Sequence, residues 1–577
     1  MNRSLNKLCG VLLLLVAVLI GCDTQPTAAK KRPKVNLSDV MGADQDDLNQ
    51  GLEHIFRVND STPAQVERLG LYHLNQWMLK SEKEPFDWKR EPLLSKMPAS
   101  LAKIQQLEEL ERIRFTAADF QFLQGRVLSR ELTNWATQRA VEEPLASWMK
   151  SQSTTLNDEQ LKQLSQAWLL FDWVIRNIQL DSIPKREDDA KEGLEILAQQ
   201  GEDGPGYRHY VRETLFYSHG DALERLRVFI DLCREVGIDV VVIGTHAEKT
   251  PFQPWVAGVF IGEQMYLFDC EMGLPIPAAN DSGIATLAEI TADPALLRQL
   301  DLDEKRPYRI SNEDLKTLEA RLSVAPEELS LRMAKLQAKL VGDRRLQISY
   351  QPAETLERLK KFQQLSPVVS FWNVPFLSCL YSDFGRGIRR RKDAEFEIKL
   401  VTEMAMVSPG SDPAYARQMH LQGIFEQRDL HPGAVVLYMK TRPSEYTMDE
   451  MRLSSKGREK MGLETMLSKN DMIRKKQLEL ALIGAERMRE NVSYWMGLIQ
   501  YERDDYANAV DWFKERSLAI APNNFWTRSL RYNLARSYER LGEHAEAIKL
   551  YRLDSSAQRH GNMIRARRLQ AALDNAK

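Results

Sequence analysis

Gly220-Asp221-Ala222-Leu223-Glu224 opens the helix on which the reading of the whole chain turns. Asp221 suits the N-cap, with Glu224 three residues on to reach back to it, a capping box. Leu223, Leu226, Phe229, Ile230, Cys233 and Val236 recur three and four apart and give the helix one apolar stripe. Gly237 fits the C-terminal turn, and the apolar run Val240–Ile243 predicts a strand. Upstream, Phe171-Asp172-Trp173-Val174-Ile175-Arg176-Asn177-Ile178 has apolar residues at 170, 171, 174, 175 and 178, one helical face. Downstream, Trp255–Ile261 and Gln264–Phe268 flank Gly262-Glu263. A two-residue loop with glycine first is what a type II′ hairpin turn requires.

This order of elements resembles the core of the transglutaminase-like family, a papain-related α+β fold, over roughly residues 160–280. In that family a cysteine occupies the first turn of the central helix, where the helix N-terminus stabilises a thiolate. The corresponding slot here is Ala222, which offers no lone pair. The resemblance puts the family's histidine slot at Pro254, or at Trp255 if the register slips by one, and its aspartate slot at Asp269. Cysteine–histidine catalysis needs thiol and base together, so the resemblance implies the fold without the usual chemistry. Catalysis relocated to Cys233, with His219 or His246 and Asp269, is the rival. Cys233 lies on the apolar stripe as a small hydrophobe, and His219 and His246 read as loop histidines in water. Cys270 stands where the family commonly has proline.

The N-terminus combines basic Arg3 and Lys7, the apolar run Val11–Ile20 and the tetrad Leu19-Ile20-Gly21-Cys22. The tetrad resembles the bacterial lipobox. It implies cleavage before Cys22 and acylation of its sulfur, and so a membrane anchor by lipid. The apolar run is shorter than the ~20 residues a membrane-spanning helix needs. Thr, Gln, Pro, Ala and Lys in Asp23–Lys34 read as a solvated tether. Of five cysteines, Cys9 leaves with the signal and Cys22 is lipidated. Cys233, Cys270 and Cys379 are an odd, scattered trio and no disulfide framework. No histidine–cysteine cluster has metal-ligand spacing, so no metal and no cofactor is expected.

The formal net charge of −2 over 577 residues gives no global pull toward nucleic acid. The basic run Arg386-Gly387-Ile388-Arg389-Arg390-Arg391-Lys392 is followed by Asp393, Glu395 and Glu397, which neutralise much of its field. Periodicity predicts helices over Leu52–Val58, Gln65–Lys80, Ser100–Ile113 and Phe120–Arg139, and a short strand near Leu346–Tyr350. Near the C-terminus Gly497, Tyr506, Ala509 and Phe513, then Leu534, Ala535, Tyr538, Gly542, Ala547 and Tyr551, alternate small and aromatic residues. They resemble two tetratricopeptide repeats over about residues 490–555, with Met472–Met488 and Met563–Leu573 as candidate capping helices. A degenerate earlier repeat is suggested by Gly423, Gly433, Ala434 and Tyr438. Arg565, Arg567 and Arg568 then make a solvated edge.

The expected protein is multidomain and mainly α, with a central α+β transglutaminase-like domain and a C-terminal α-helical, tetratricopeptide-like solenoid. Its parts are a signal peptide (1–22), a tether (23–48), a helical region (49–155), the transglutaminase-like domain (156–300), a mixed α/β bridge (301–400) and the helical end (401–577). The expected function is non-catalytic binding or scaffolding in the cell envelope, with a protein or peptide partner held by the repeat region. The alternative is a thiol-dependent amide hydrolase or transferase with a relocated nucleophile.

Overall fold

The computed structural model describes residues 43–56, 63–81, 84–104, 106–181, 209–246, 252–279, 283–376, 411–427, 432–460, 464 and 467–575. Cys9, Cys22, Cys379 and the basic run at 386–392 lie outside these residues, as do the signal segment and most of the tether. Among the described residues the protein is mainly helical, with one six-stranded and one two-stranded sheet. No helix among them is long and apolar enough to cross a membrane.

The chain forms two compact units, each built from two stretches. One takes Met1–Lys83 and Ile388–Leu530, the other Glu84–Gly387 and Arg531–Lys577. The first begins with the helical hairpin α1 (Ala43–Phe56) and α2 (Pro63–Lys80). Helix α1 starts inside the segment read as tether, because Leu48, Leu52 and Ile55 have an apolar face to bury. Asp47 ties the pair together by accepting from Lys80 (2.8 Å) and contacting His73 Nδ1 (2.9 Å).

The second unit carries the sheet. Its elements are α3 (Ala117–Ala136), α4 (Asp158–Asn177), β1 (Gln179–Leu180), α5 (Val211–Tyr217), β2 (His219–Gly220), α6 (Ala222–Glu235), β3 (Val240–Thr245), β4 (Gln253–Ile261), β5 (Gln264–Asp269), β6 (Leu274–Pro275), β7 (Leu318–Leu322) and β8 (Ser370–Phe371). The large sheet runs β6-β5-β4-β3-β7-β8, antiparallel except for the β7–β8 pair. Helix α6 packs on β3 and β4 and against α3, α4 and α5. Its capping box forms as the sequence predicts: Asp221 Oδ1 accepts from Glu224 N (2.8 Å), and Glu224 Oε2 accepts from Asp221 N (3.0 Å). The β4–β5 turn pairs Ile261 with Gln264 and has positive φ (59°) at Gly262 only, as a II′ turn needs. The Phe171, Phe229 and Phe268 rings lie 5.1–5.5 Å apart, so the three segments first read from the sequence meet at one point.

Several local expectations are corrected. Ser100–Ile113 is not one helix: a left-handed Gln106 (φ 49°) separates Ala99–Ile104 from a 3-10 turn at Leu107–Glu109. Leu346–Tyr350 is not a strand. Its Ile348 and Ser349 N–H groups donate to the Gln337 side chain (2.7 Å each) and Tyr350 N to Glu328 O (3.0 Å). The edge of the sheet is supplied instead by β7 and β8, both beyond residue 300.

The first unit resumes with α7 (Asp412–Leu421), α8 (Ala434–Thr441), α9 (Glu445–Leu453), α10 (Asp471–Glu502) and α11 (Tyr506–Val510), which runs on into a π-helical stretch, Asp511–Leu518. The candidate capping helix Met472–Met488 is not separate. It is the first half of α10, which runs unbroken through Gly484 because no proline stops it. Gly497 is required where it stands: a Cβ there would lie 2.3 Å from the Phe513 ring. The boundary between units falls within α12 (Thr527–Arg540). Helices α13 (His544–Arg552) and α14 (Arg559–Asn575) belong to the second unit and pack on each other.

Candidate functional site

The slots singled out by sequence lie at the N-terminal end of β4, the C-terminal end of the antiparallel β5 and the start of α6. Ala222 is the first residue of α6 and half-buried. Asp269 ends β5 and is fully buried. Its Oδ1 accepts from the N–H groups of Glu271 and Met272 (2.9 Å each), which shapes the turn that follows. Its Oδ2 accepts from the Tyr308 hydroxyl (2.5 Å), and that hydroxyl accepts from Trp255 Nε1 (2.7 Å). Arg309 closes the cluster. Its Nη2 lies 3.3 Å from both Asp269 oxygens and donates to Trp255 O (2.7 Å), while Nη1 pairs with Glu271 (2.9 Å).

Of the two residues read for the histidine slot, Trp255 is linked to Asp269 through Tyr308, and Pro254 O lies 3.4 Å from Arg309 Nη1. An indole N–H only donates, so it cannot take up a proton. Burial, then Asp269, pushes the Tyr308 hydroxyl well above its ordinary range. Burial would lower the Arg309 guanidinium, but Asp269 and Glu271 outweigh it and hold the charge. Burial, with the like charges of Asp269 and Asp221 adding to it, holds the Glu271 carboxyl above its usual range against the pull of Arg309. Asp221 thus acts electrostatically on the turn after Asp269, which sets the start of α6 beside the end of β5. The side chains of Asp269, Tyr308, Trp255 and Arg309 are thus hydrogen-bonded to one another.

Residues 558–561 and the start of α14 pack against the same turn. A Cβ at Gly561 would lie 1.8 Å from Met272 O, and one at Gly273 would lie 2.9 Å from Gln558 Nε2. His560 Nε2 donates to Leu300 O (2.7 Å) and its ring lies 6.1 Å from that of Tyr308. One helical turn beyond Ala222, buried Arg225 donates from Nε to Ile178 O (2.8 Å) and from Nη1 to Gln558 Oε1 (2.8 Å). Its other contacts are Ile175 O (3.3 Å) and Cys270 O (3.4 Å). Arg567, read from sequence as part of a solvated edge, is exposed and donates to the carbonyls of Asp301 (2.8 Å) and Gln299.

The groups of the rival reading do not assemble with Asp269. His219 is buried rather than in water: it lies in β2, paired with Gln179, and its Nδ1 meets Asp181 Oδ2 at 2.8 Å. His246 follows β3 and meets Glu319 (2.6 Å). Cys233 and Cys270 are buried free thiols. Burial pushes both thiols far up, Cys270 adding to the effect on Cys233 and Asp269 to that on Cys270. Thiolate, the reactive form, is thus suppressed at both. Both cysteines should resist iodoacetamide in the native protein and react fully once it is unfolded, as peptide mass mapping would show. Alkylation of native Cys233 would restore the relocated-nucleophile reading.

Sequence reasoning missed Tyr308, Arg309, Arg225 and Gln558. For Arg225 a signal existed: Glu224, Arg225 and Arg227 sit among apolar neighbours in a helix bound for the core, a pattern that forces internal ion or carbonyl pairing. For Tyr308 and Arg309 there was none, since they sit in irregular chain.

A second candidate lies in the first unit. A groove of about 280 Å³ runs between α9, α10 and the chain that follows the π-helical stretch. Helix α10 lines it with Glu486, Arg489, Glu490 and Ser493, spaced as one helical face. Arg516 lines the opposite wall, stacked over Trp512 (4.4 Å) and paired with Asp511 (2.6 Å). Arg489 pairs with Glu445 and Arg452 with Glu486, so the groove walls carry charges of both signs. Among the described residues no group of three or more His, Cys, Asp and Glu side chains is arranged to hold a metal ion.

No protein-family model, no curated protein and no solved structure matches the chain.

Proposed function

We propose that this chain is a lipid-anchored envelope protein, acylated at Cys22, in which a transglutaminase-like domain without its catalytic pair serves a binding role. One observation carries the reading. The cluster around Asp269 is completed by Trp255, Tyr308 and Arg309, so the remnant of a catalytic site has become a structural joint under α14. The tetratricopeptide-like helical end supplies the partner surface. Its groove, lined by Glu445, Glu486 and Glu490 as well as Arg452, Arg489 and Arg516, presents charges of both signs to a polar protein segment.

The test is cross-linking in cells followed by purification of the full-length protein from membranes. A protein partner should be captured by the wild type and equally by Cys233→Ser, and lost from the double variant Arg489→Glu, Arg516→Glu. Release of ammonia from a glutamine-containing peptide, abolished by Cys233→Ser, would overturn the reading in favour of an amide transferase.

A further inference from the structure

The geometry points to a second, separate ligand site in the unit that carries the sheet: a cavity that takes a free amino acid as its zwitterion, with Arg212 on the carboxylate and Glu327 on the ammonium group. The cavity measures about 120 Å³ and lies between α3, the start of α5, α6 and the turn at Pro326. Phe122, Val211, Pro326 and Pro375 supply apolar wall.

Most charges around it are already matched. Asp231 pairs with Arg126 and accepts from Ser129 (3.0 Å). Glu213 accepts from Tyr210 N (2.8 Å), and Arg227 donates to His209 O (2.9 Å). Two groups differ. Among the described residues Arg212 makes no hydrogen bond and no ion pair. Its Nε is sealed from solvent without a partner, and its guanidinium is held only over the Phe216 ring (4.8 Å). Glu327 likewise makes no ion pair and no side-chain hydrogen bond with another described residue. Burial pushes its carboxyl up to about 7, with Asp119 and Glu328 adding to the rise and Arg332 opposing it. Neither side chain is held in a direct ion pair among the described residues, Glu213 acting on Arg212 and Arg332 on Glu327 only at longer range.

A buried donor left without a partner is costly, and a ligand that carries an anion and a cation would give Arg212 and Glu327 direct partners at once. A cavity of this size holds roughly six non-hydrogen atoms, by comparison with the ~150 Å³ that admits benzene. That excludes a peptide carrying both termini and fits a small amino acid such as alanine. The apolar wall then faces its side chain.

Calorimetric titration of the purified full-length protein with L-alanine, D-alanine, propionate and ethylamine tests this. At least one alanine enantiomer should bind. Propionate and ethylamine, each lacking one charge, should bind at least about tenfold more weakly, the loss of one charge-assisted contact. Arg212→Gln and Glu327→Gln should each weaken alanine by a similar factor with an unchanged circular dichroism spectrum. Propionate binding as tightly as alanine, or neither enantiomer binding the wild type, would overturn the assignment without reference to any variant.

Discussion

Replacing Arg225 by methionine should destabilise the sheet-bearing unit by about 4 kcal/mol, as seen in the urea midpoint at neutral pH. The guanidinium is buried and is the donor for the carbonyls of Ile175 and Ile178 at the end of α4, for Cys270 O and for Gln558 Oε1. Its charge also sits favourably against the negative end of α4. Methionine fills the volume but donates nothing, and each acceptor left buried and unmade costs about 1–3 kcal/mol. Because Gln558 precedes α14, that helix should loosen first, with faster amide exchange over residues 559–575 than over α6. A midpoint shift equivalent to less than about 1 kcal/mol would mean that water replaces the guanidinium and that the joint is not structural.

The second large effect concerns Asp172. This buried carboxylate accepts from Arg176 Nε (2.7 Å) and lies 3.2 Å from Arg536, which joins α4 to α12. Burial works to raise its pKa, but Arg176 and Arg536 outweigh it and hold it well below the usual carboxylate range. The folded pKa is thus depressed below the unfolded value of about 3.9. The folded state binds fewer protons, so the contribution is fully present above that value and is lost as pH falls from there through the folded pKa. Asp172→Asn should cost about 3–5 kcal/mol at pH 7, because two guanidiniums lose a buried counter-charge. It should also flatten the loss of stability below about pH 4 relative to wild type. Denaturant titrations at neutral and acid pH check both. An unchanged acid limb would show that Asp172 is not the carboxylate responsible.

Both residues stood in plain view within predicted helices, yet their importance did not. Asp172 stood as one polar position in an apolar helix, and Arg225 drew no reading of its own. Their partners lie hundreds of positions away, Arg536 for one and Gln558 for the other, and no spacing rule connects such positions. The same holds for Asp269. Sequence placed it at the end of a hairpin strand, but the hydroxyl and guanidinium that neutralise it come from Tyr308 and Arg309 in irregular chain. The His219 reading failed for a related reason. A histidine between two helices reads as loop, and only the pairing of β2 with β1 carries it into the interior.

The chain's own order of residues determined the local units: the capping box at Asp221, the apolar stripe of α6, the II′ turn at Gly262 and the strands on either side. Each depends on groups within about four residues of one another, so backbone geometry and side-chain period suffice to specify it. Tertiary structure alone decided which strands extend the sheet, that α14 closes over the turn after Asp269, and that Arg212 and Glu327 share one cavity. Those outcomes rest on burial, which turns distant polar groups into obligate partners or leaves them unmatched, and burial is a property of the assembled fold rather than of any stretch within it.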